Sequence, residues 1–217
     1  MKKLIISIVL ALAIVFVAYK CYESIKIPQE FTIIKKQRND RVIDRLKDVR
    51  SAEEAYRSVF NKYTASFDTL INFIKYDSVK IVRSIGALTD EQIEKGMTEA
   101  QAIKQGFIIR DVIKVAALQE IFKGKYDVNT INDLRYVPQT RREDQFELAT
   151  NTLTTDSGLK VPVFEARVSN MVIFKTMDEK YYECLLEENG ERLRLKKYPG
   201  LKVGDLEEAN NNVGNWE

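Results

Sequence analysis

Histidine is missing from all 217 residues. That absence excludes a Ser-His-Asp triad, an imidazole acid or base, and any histidine-containing zinc site. Cysteine is scarce: Cys21 and Cys184 are the whole supply. They fall in segments read below as a membrane flank and a soluble head, so no disulfide between them is expected. An excess of charge of either sign is lacking too, because 34 Lys and Arg stand against 32 Asp and Glu. With 30% of the chain charged, this balance describes a well-solvated surface rather than a nucleic-acid footprint, and no nucleic-acid partner is expected. Neither a phosphate-cradling glycine loop nor a nucleophile elbow occurs, and no internal repeat or low-complexity tract stands out.

What is present begins near the amino terminus. Leu4 to Tyr19, LIISIVLALAIVFVAY, carries no charge. A helix from Leu4 through Tyr22 spans roughly 28 Å, close to the ~30 Å hydrocarbon thickness of a bilayer. The expected membrane anchor comprises Leu4, Ile5, Ile8, Leu12, Phe16 and Tyr19, with the lipid bilayer as its partner. A cleaved signal peptide is the rival, but Lys20-Cys21-Tyr22-Glu23 offers no small-x-small site, and Lys20 spoils a lipoprotein-type site before Cys21. Tyr19 and Tyr22 suit an interfacial belt. Lys2 and Lys3 favour a cytoplasmic start against Lys20, Lys26, Lys35 and Lys36 on the other flank. The expected topology is therefore a single pass through a bacterial inner membrane with the large carboxy-terminal part extracytoplasmic.

Past Pro28, read as the end of the membrane helix, the composition turns charged. Val42, Leu46, Val49, Ala52, Tyr56, Val59 and Tyr63 recur at helical spacing, which places one apolar stripe on a long amphipathic stalk. Between them Lys35, Lys36, Arg38, Arg41, Arg45 and Arg50 are interspersed with Asp40, Asp44, Asp48, Glu53 and Glu54. Asp40 and Asp44 dilute any basic patch for anionic lipid, so the charges read as a solvated face. The stripe must bury against its own domain or a partner helix. Val42, Leu46, Val49, Tyr56, Val59 and Tyr63 are thus the candidate interface for a protein partner or for self-association.

Two resemblances bear on this region. Ile27 to Lys36, IPQEFTIIKK, is similar to the opening of a pilin, but Glu30 stands at the glycine position, Lys35 at the acid position, and the apolar segment lies before the string rather than after it. It is not a processing site. The run Ala52-Glu53-Glu54-Ala55-Tyr56, then Asn61-Lys62-Tyr63-Thr64-Ala65-Ser66-Phe67-Asp68-Thr69-Leu70, resembles a pseudopilin, in which a long helix carrying Ala-Tyr breaks and a short helix resumes. It lacks that pattern's glycine, and Thr64 replaces its proline. On its own terms Asn61 suits a left-handed helix stop, Ser66 a cap, and Phe67, Leu70, Ile71 and Ile74 one helix face. The whole layout, with its closing Gly-Asn-Trp-Glu, resembles an uncharacterised family of single-span bacterial envelope proteins. That resemblance implies no known activity.

The remainder reads as a mixed head. Thr89-Asp90-Glu91-Gln92 and Thr98-Glu99-Ala100-Gln101 fit capping boxes, with Gly96 and Gly106 as helix stops. Phe107 to Val115 predicts a strand, and Leu118, Ile121 and Phe122 a short helix closed near Gly124. Further strands are expected at Leu134 to Val137, Gln145 to Thr155, and Leu159 to Val168. The last two form a hairpin around Gly158, with Pro162 on an edge or bulge. Met171 to Phe174 predicts another strand. Tyr181 to Leu186 and Arg192 to Leu195 predict a second hairpin, against a helix ending at Gly190. Trp216 suggests a docked terminus.

The fold class is therefore α+β. An anchor helix continues into an amphipathic stalk, followed by a small head of short helices and an antiparallel sheet. The divisions fall at 1–3 (stub), 4–22 (anchor), 23–63 (stalk) and 64–217 (head).

Candidate chemistry is thin. Asp205, Glu207, Glu208, Asn210 and Asn212 could supply oxygens to a cation, without EF-hand spacing. Arg192, Arg194 and Lys196 could form a basic strip with Leu193 and Leu195 turned to the core, and Asp111 beside Arg110 reads as a strand charge. No catalytic residue or cofactor is assigned, and the metal question stays open. The expectation is a non-catalytic, membrane-anchored interaction component, set against a membrane-tethered enzyme or ligand-binding head with a scattered carboxylate site.

Overall fold

The computed structural model describes the backbone of residues 2–86, 88–90, 94, 96–107, 109–155 and 158–217. Helices are α1 (Lys2–Phe60), α2 (Phe67–Tyr76), α3 (Glu99–Lys104), α4 (Ala117–Phe122), α5 (Asn170–Ile173) and α6 (Tyr182–Arg194). Strands are β1 (Ser78–Ile85), β2 (Ile109–Ala116), β3 (Glu147–Thr154), β4 (Lys160–Ser169) and β5 (Gly200–Gly204), and 3-10 turns cover Thr130–Arg135 and Glu179–Tyr181. The class is α+β, with one antiparallel ribbon, β1-β2, and one three-stranded sheet ordered β3-β4-β5.

The chain divides into two compact units, to both of which α1 and β4 contribute. Unit 1 is Met1–Lys47, Arg135–Glu147 and Glu165–Glu217; unit 2 is Asp48–Leu134 and Leu148–Phe164. The stretch read as one head, 64–217, is thus shared between the units.

In unit 1 the stripe on α1 starts earlier than the sequence suggested. Phe31 is buried and its ring lies 6.1 Å from Phe174 and 6.5 Å from Tyr181. Burial on this face holds α1 together through Pro28, which stands inside the helix and does not end it as expected. The missing N–H costs one backbone bond, but Pro28 and Ser24 are exposed and water can serve the freed carbonyl. Thr32 Oγ1 donates to the Pro28 carbonyl at 2.9 Å.

Strands β4 and β5 pair from Glu165 opposite Gly204 to Ser169 opposite Gly200. Gly200 is required there, because an added Cβ would lie 2.2 Å from the Val168 carbonyl oxygen. Strand β5 was missed in the sequence because five residues bracketed by glycines read as turn. Asn215 donates to the Lys202 carbonyl and to that of Gly200, and Gly214 bridges to Val203, so the segment carrying Trp216 is docked.

Two expectations fail in unit 1. Met171 to Phe174 is the short helix α5 and its exit, with Ile173 and Phe174 buried side by side in a turn. The second hairpin is the helix α6, which runs through Gly190. Tyr181, Leu185 and Asn189 step by four and are buried, and the Asn170 side-chain amide donates to Asn189 Oδ1 at 2.8 Å. The alternation of Leu193 and Leu195 misled the strand reading: both point outward, 61% and 56% exposed.

In unit 2 the last turns of α1 bury Val49, Ala52 and Tyr56, and α2 buries Phe67, Leu70, Ile71, Phe73 and Ile74. Tyr56 meets Phe73 edge-on at 5.3 Å. Asn61 at φ 56 closes α1, and Ser66 caps α2 by accepting from Thr69 N–H at 3.4 Å. Helix α3 carries the full capping box of Thr98 and Gln101, whereas Gln92 of the other box lies outside the described residues.

Strand β1 was overlooked, though Val79 and Ile81 alternate with Lys80 and Val82. Leu134 to Val137 is not a strand. Asp127 accepts from the N–H groups of Asn129 and Thr130 and winds the chain into the 3-10 turn instead. Residues 136 and 145 make a lone bridge. Pro162 lies on β4 beyond the last β5 partner, so its missing N–H costs no ladder bond on that side.

Candidate functional site

One helix among the described residues is long and apolar enough to cross a membrane, and its apolar window is wholly unburied. Ile5, Ile8, Leu12, Phe16 and Tyr19 are each 53–65% exposed. The Leu4 side chain lies outside the described residues. Every residue from Ile5 to Tyr22 is exposed, so the apolar surface runs round the whole helix instead of along one stripe. Such a surface is compatible with an apolar surrounding on all sides, as a membrane provides.

Above it unit 1 grips the helix with charge as well as Phe31. Glu30 Oε2 accepts from Tyr181 Oη at 2.8 Å and from Lys180 Nζ at 3.2 Å. The Tyr181 hydroxyl, then Lys180, holds the Glu30 carboxyl below its usual range. Lys35 meets Glu188 at 2.6 Å, and Arg38 donates to Thr176 Oγ1 at 3.1 Å and to the Ile173 carbonyl at 3.2 Å. The sequence does not single out Glu30, Phe31, Lys35 or Arg38 as site residues, although Phe31, Arg38 and Val42 continue the helical spacing backwards. An open groove of about 740 Å³ lies just below this grip, lined by Lys20, Ser24, Ile27 and Pro28 on α1 and by Glu179 and Cys184 opposite. Cys21 and Cys184 are both free.

The stalk residues are brought to one face. Val42, Leu46 and Val49 are fully buried and Tyr56 and Tyr63 nearly so, whereas Val59 is 38% exposed. Of the two destinations the sequence left open, the chain's own fold covers this stripe from Val42 to Tyr56.

Glu53, inside the Ala-Glu-Glu-Ala-Tyr run, lies on the same face and is completely buried. Its Oε2 accepts from Thr64 N–H at 3.1 Å, and its Oε1 has no hydrogen-bond partner. Burial pushes its pKa up to about 8 against the opposing pull of the Thr64 N–H, so the group is mainly protonated at neutral pH. The acid ties the turn after Asn61 back onto α1. Being sealed, it offers no approach to a substrate. Sequence spacing alone could have placed Glu53 on the stripe, since it follows Val49 by four.

The remaining candidates are engaged elsewhere. Asp205 accepts from Lys202 Nζ at 2.7 Å and from Glu207 N–H at 2.9 Å, while Lys202 also reaches Glu165 at 3.0 Å. Among the described residues no group of three or more Cys, Asp or Glu is placed to hold a metal ion. Asp111 lies opposite Arg83 in the ribbon. The basic strip does not form on a strand: Arg192 turns back to the Gly200 carbonyl at 3.3 Å, and Arg194 and Lys196 are exposed. Comparison with protein-family models, with curated proteins and with solved structures finds no match.

Proposed function

We propose that this chain is a non-catalytic, single-pass component of a bacterial envelope, held in the inner membrane by α1 and presenting its folded part outside the cytoplasm to other proteins. The observation that carries the reading is the change of surroundings along α1. The helix is uncharged and bare on every side from Ile5 to Tyr19, then buried on one side from Phe31 onward. The Ala-Tyr and Tyr-Thr run supports a pseudopilin-like architecture in the stalk and its turn. The strongly perturbed acid, Glu53, is enclosed and serves the turn, which favours a structural role over a hydrolytic one.

In-cell photocrosslinking from Ile25 and Ile33, exposed on α1 beyond the apolar segment, tests it. The reading expects adducts with other polypeptides. If adducts are confined to lipid and to the same molecule, and alanine changes at exposed carboxylates abolish a measurable turnover, the tethered-enzyme alternative replaces it.

A further inference from the structure

Two exposed faces carry opposite charge around apolar side chains. The first is one side of the β1-β2 ribbon in unit 2, where Lys80 stands directly opposite Lys114, and Val82 opposite Val112. Both lysines are exposed, and the valines are 62% and 57% exposed. Like charges directly opposite one another destabilise a ladder, while the ribbon's other face is covered within its own unit, where Val79 is buried. Neither lysine meets an acid among the described residues.

The second is the outer face of α6 in unit 1. Tyr182, Leu186 and Leu193 are 45%, 48% and 61% exposed and fall on one line with Gly190 between them. Glu183 and Glu187 flank this line, exposed and without a basic partner among the described residues. Glu191 adds a third acid, 3.8 Å from Arg194. Among the described residues nothing beyond the helix's own backbone would lie within 4 Å of a Cβ added at Gly190. Glycine inside a helix costs stability relative to alanine, and what it yields here is a notch of about 350 Å³ beside Glu187, Glu191 and Arg194.

We propose that these faces are complementary and that the partner is a second copy of this chain. The ribbon of one copy docks on α6 of the next. Val82 and Val112 pack on Tyr182 and Leu186, and Lys80 and Lys114 meet Glu183 and Glu187. The spacings are similar: Glu183 and Glu187, one turn apart, are ~6 Å apart along the helix axis, and Lys80 and Lys114, directly opposite on the ladder, are ~5 Å apart. Because the two faces are different patches, the contact is heterologous, and each copy engages a preceding and a following copy. This names the partner for the interaction component proposed above and rests on that reading.

The test is disulfide trapping in membranes of cells producing two differently tagged full-length chains, one Val82→Cys and the other Leu186→Cys, both with Cys21→Ser and Cys184→Ser. A product joining the two tags is expected. Lys80→Glu/Lys114→Glu in every copy, or Glu183→Lys/Glu187→Lys in every copy, lowers it at least tenfold. Producing the two reversed chains together restores it, which misfolded chains could not do. Absence of the two-tag product, or no recovery on mixing, overturns self-pairing. Capture of a different protein at these cysteines also overturns self-pairing but leaves the interaction-component reading standing, whereas capture of no protein at all counts against both.

Discussion

The two ends of α1 share a helix and little else. From Ile5 to Tyr19 the side chains are uncharged, apolar but for Ser7 and Tyr19, and bare; from Phe31 to Tyr56 one orientation is mostly apolar and buried while the others are mostly charged and exposed. The first arrangement is compatible with lipid on all sides, and the second is covered by the chain's own core. A single helix can therefore serve two solvents, and the pattern of exposure, more than the helix itself, tells them apart. The hand-over occurs at Pro28, where a lost backbone bond is tolerated because Phe31, Lys35 and Arg38 fix the next turns.

Substitutions at the two ends should part company. The largest effect is expected at Glu53, at the buried end. Its carboxyl titrates near 4.5 when unfolded and at about 8 when folded. The folded state therefore holds a proton that the unfolded state has lost, and the stability present below pH 4.5 falls as pH rises to about 8. The change is on the order of 5 kcal/mol. Glu53→Gln should flatten this dependence, read as unfolding midpoint against pH, and leave the variant more stable than the parent above pH 8.

Next in size, Leu46→Ala removes a fully buried side chain and should cost about 3 kcal/mol in denaturant unfolding of the full chain in detergent. Leu12→Ala, the same change at the bare end, should leave that transition where it was. Equal shifts for both would erase the distinction between the ends.

The smallest effect is expected at the grip. Tyr181→Phe keeps the ring beside Phe31 and removes the hydroxyl from Glu30, so the midpoint should drop slightly. In a Glu30→Gln background the drop should shrink, because the two groups act as a pair. Fully additive losses would show that the contact contributes nothing.

Legibility in the sequence followed the same division. The long apolar helix and the stripe from Val42 to Tyr56 are legible because long apolar or periodic segments leave little choice, and Asn61 and Ser66 declare the turn by their chemistry. Strand β1 was passed over because its alternation mixes Val and Ile with Lys and Arg, and β5 because its glycines look like turns until the close approach at Val168 is known. Helix α6 was misread because exposed Leu193 and Leu195 imitate a strand face, while the buried Asn189 that fixes the true face is polar. The grip on α1 was invisible for a related reason. Glu30, Lys35 and Arg38 look like ordinary surface charges, and only the fold brings Tyr181, Glu188 and Thr176 to them. Nor could sequence show that Glu53 is sealed from water.

The central claim is that residues 5–22 lie in lipid and hold the chain there. Alkaline carbonate extraction of membranes from cells producing the full chain tests it most directly. The account predicts that the chain stays with the membrane pellet. Recovery in the carbonate supernatant, whether by cleavage of the anchor or by peripheral attachment, would contradict it.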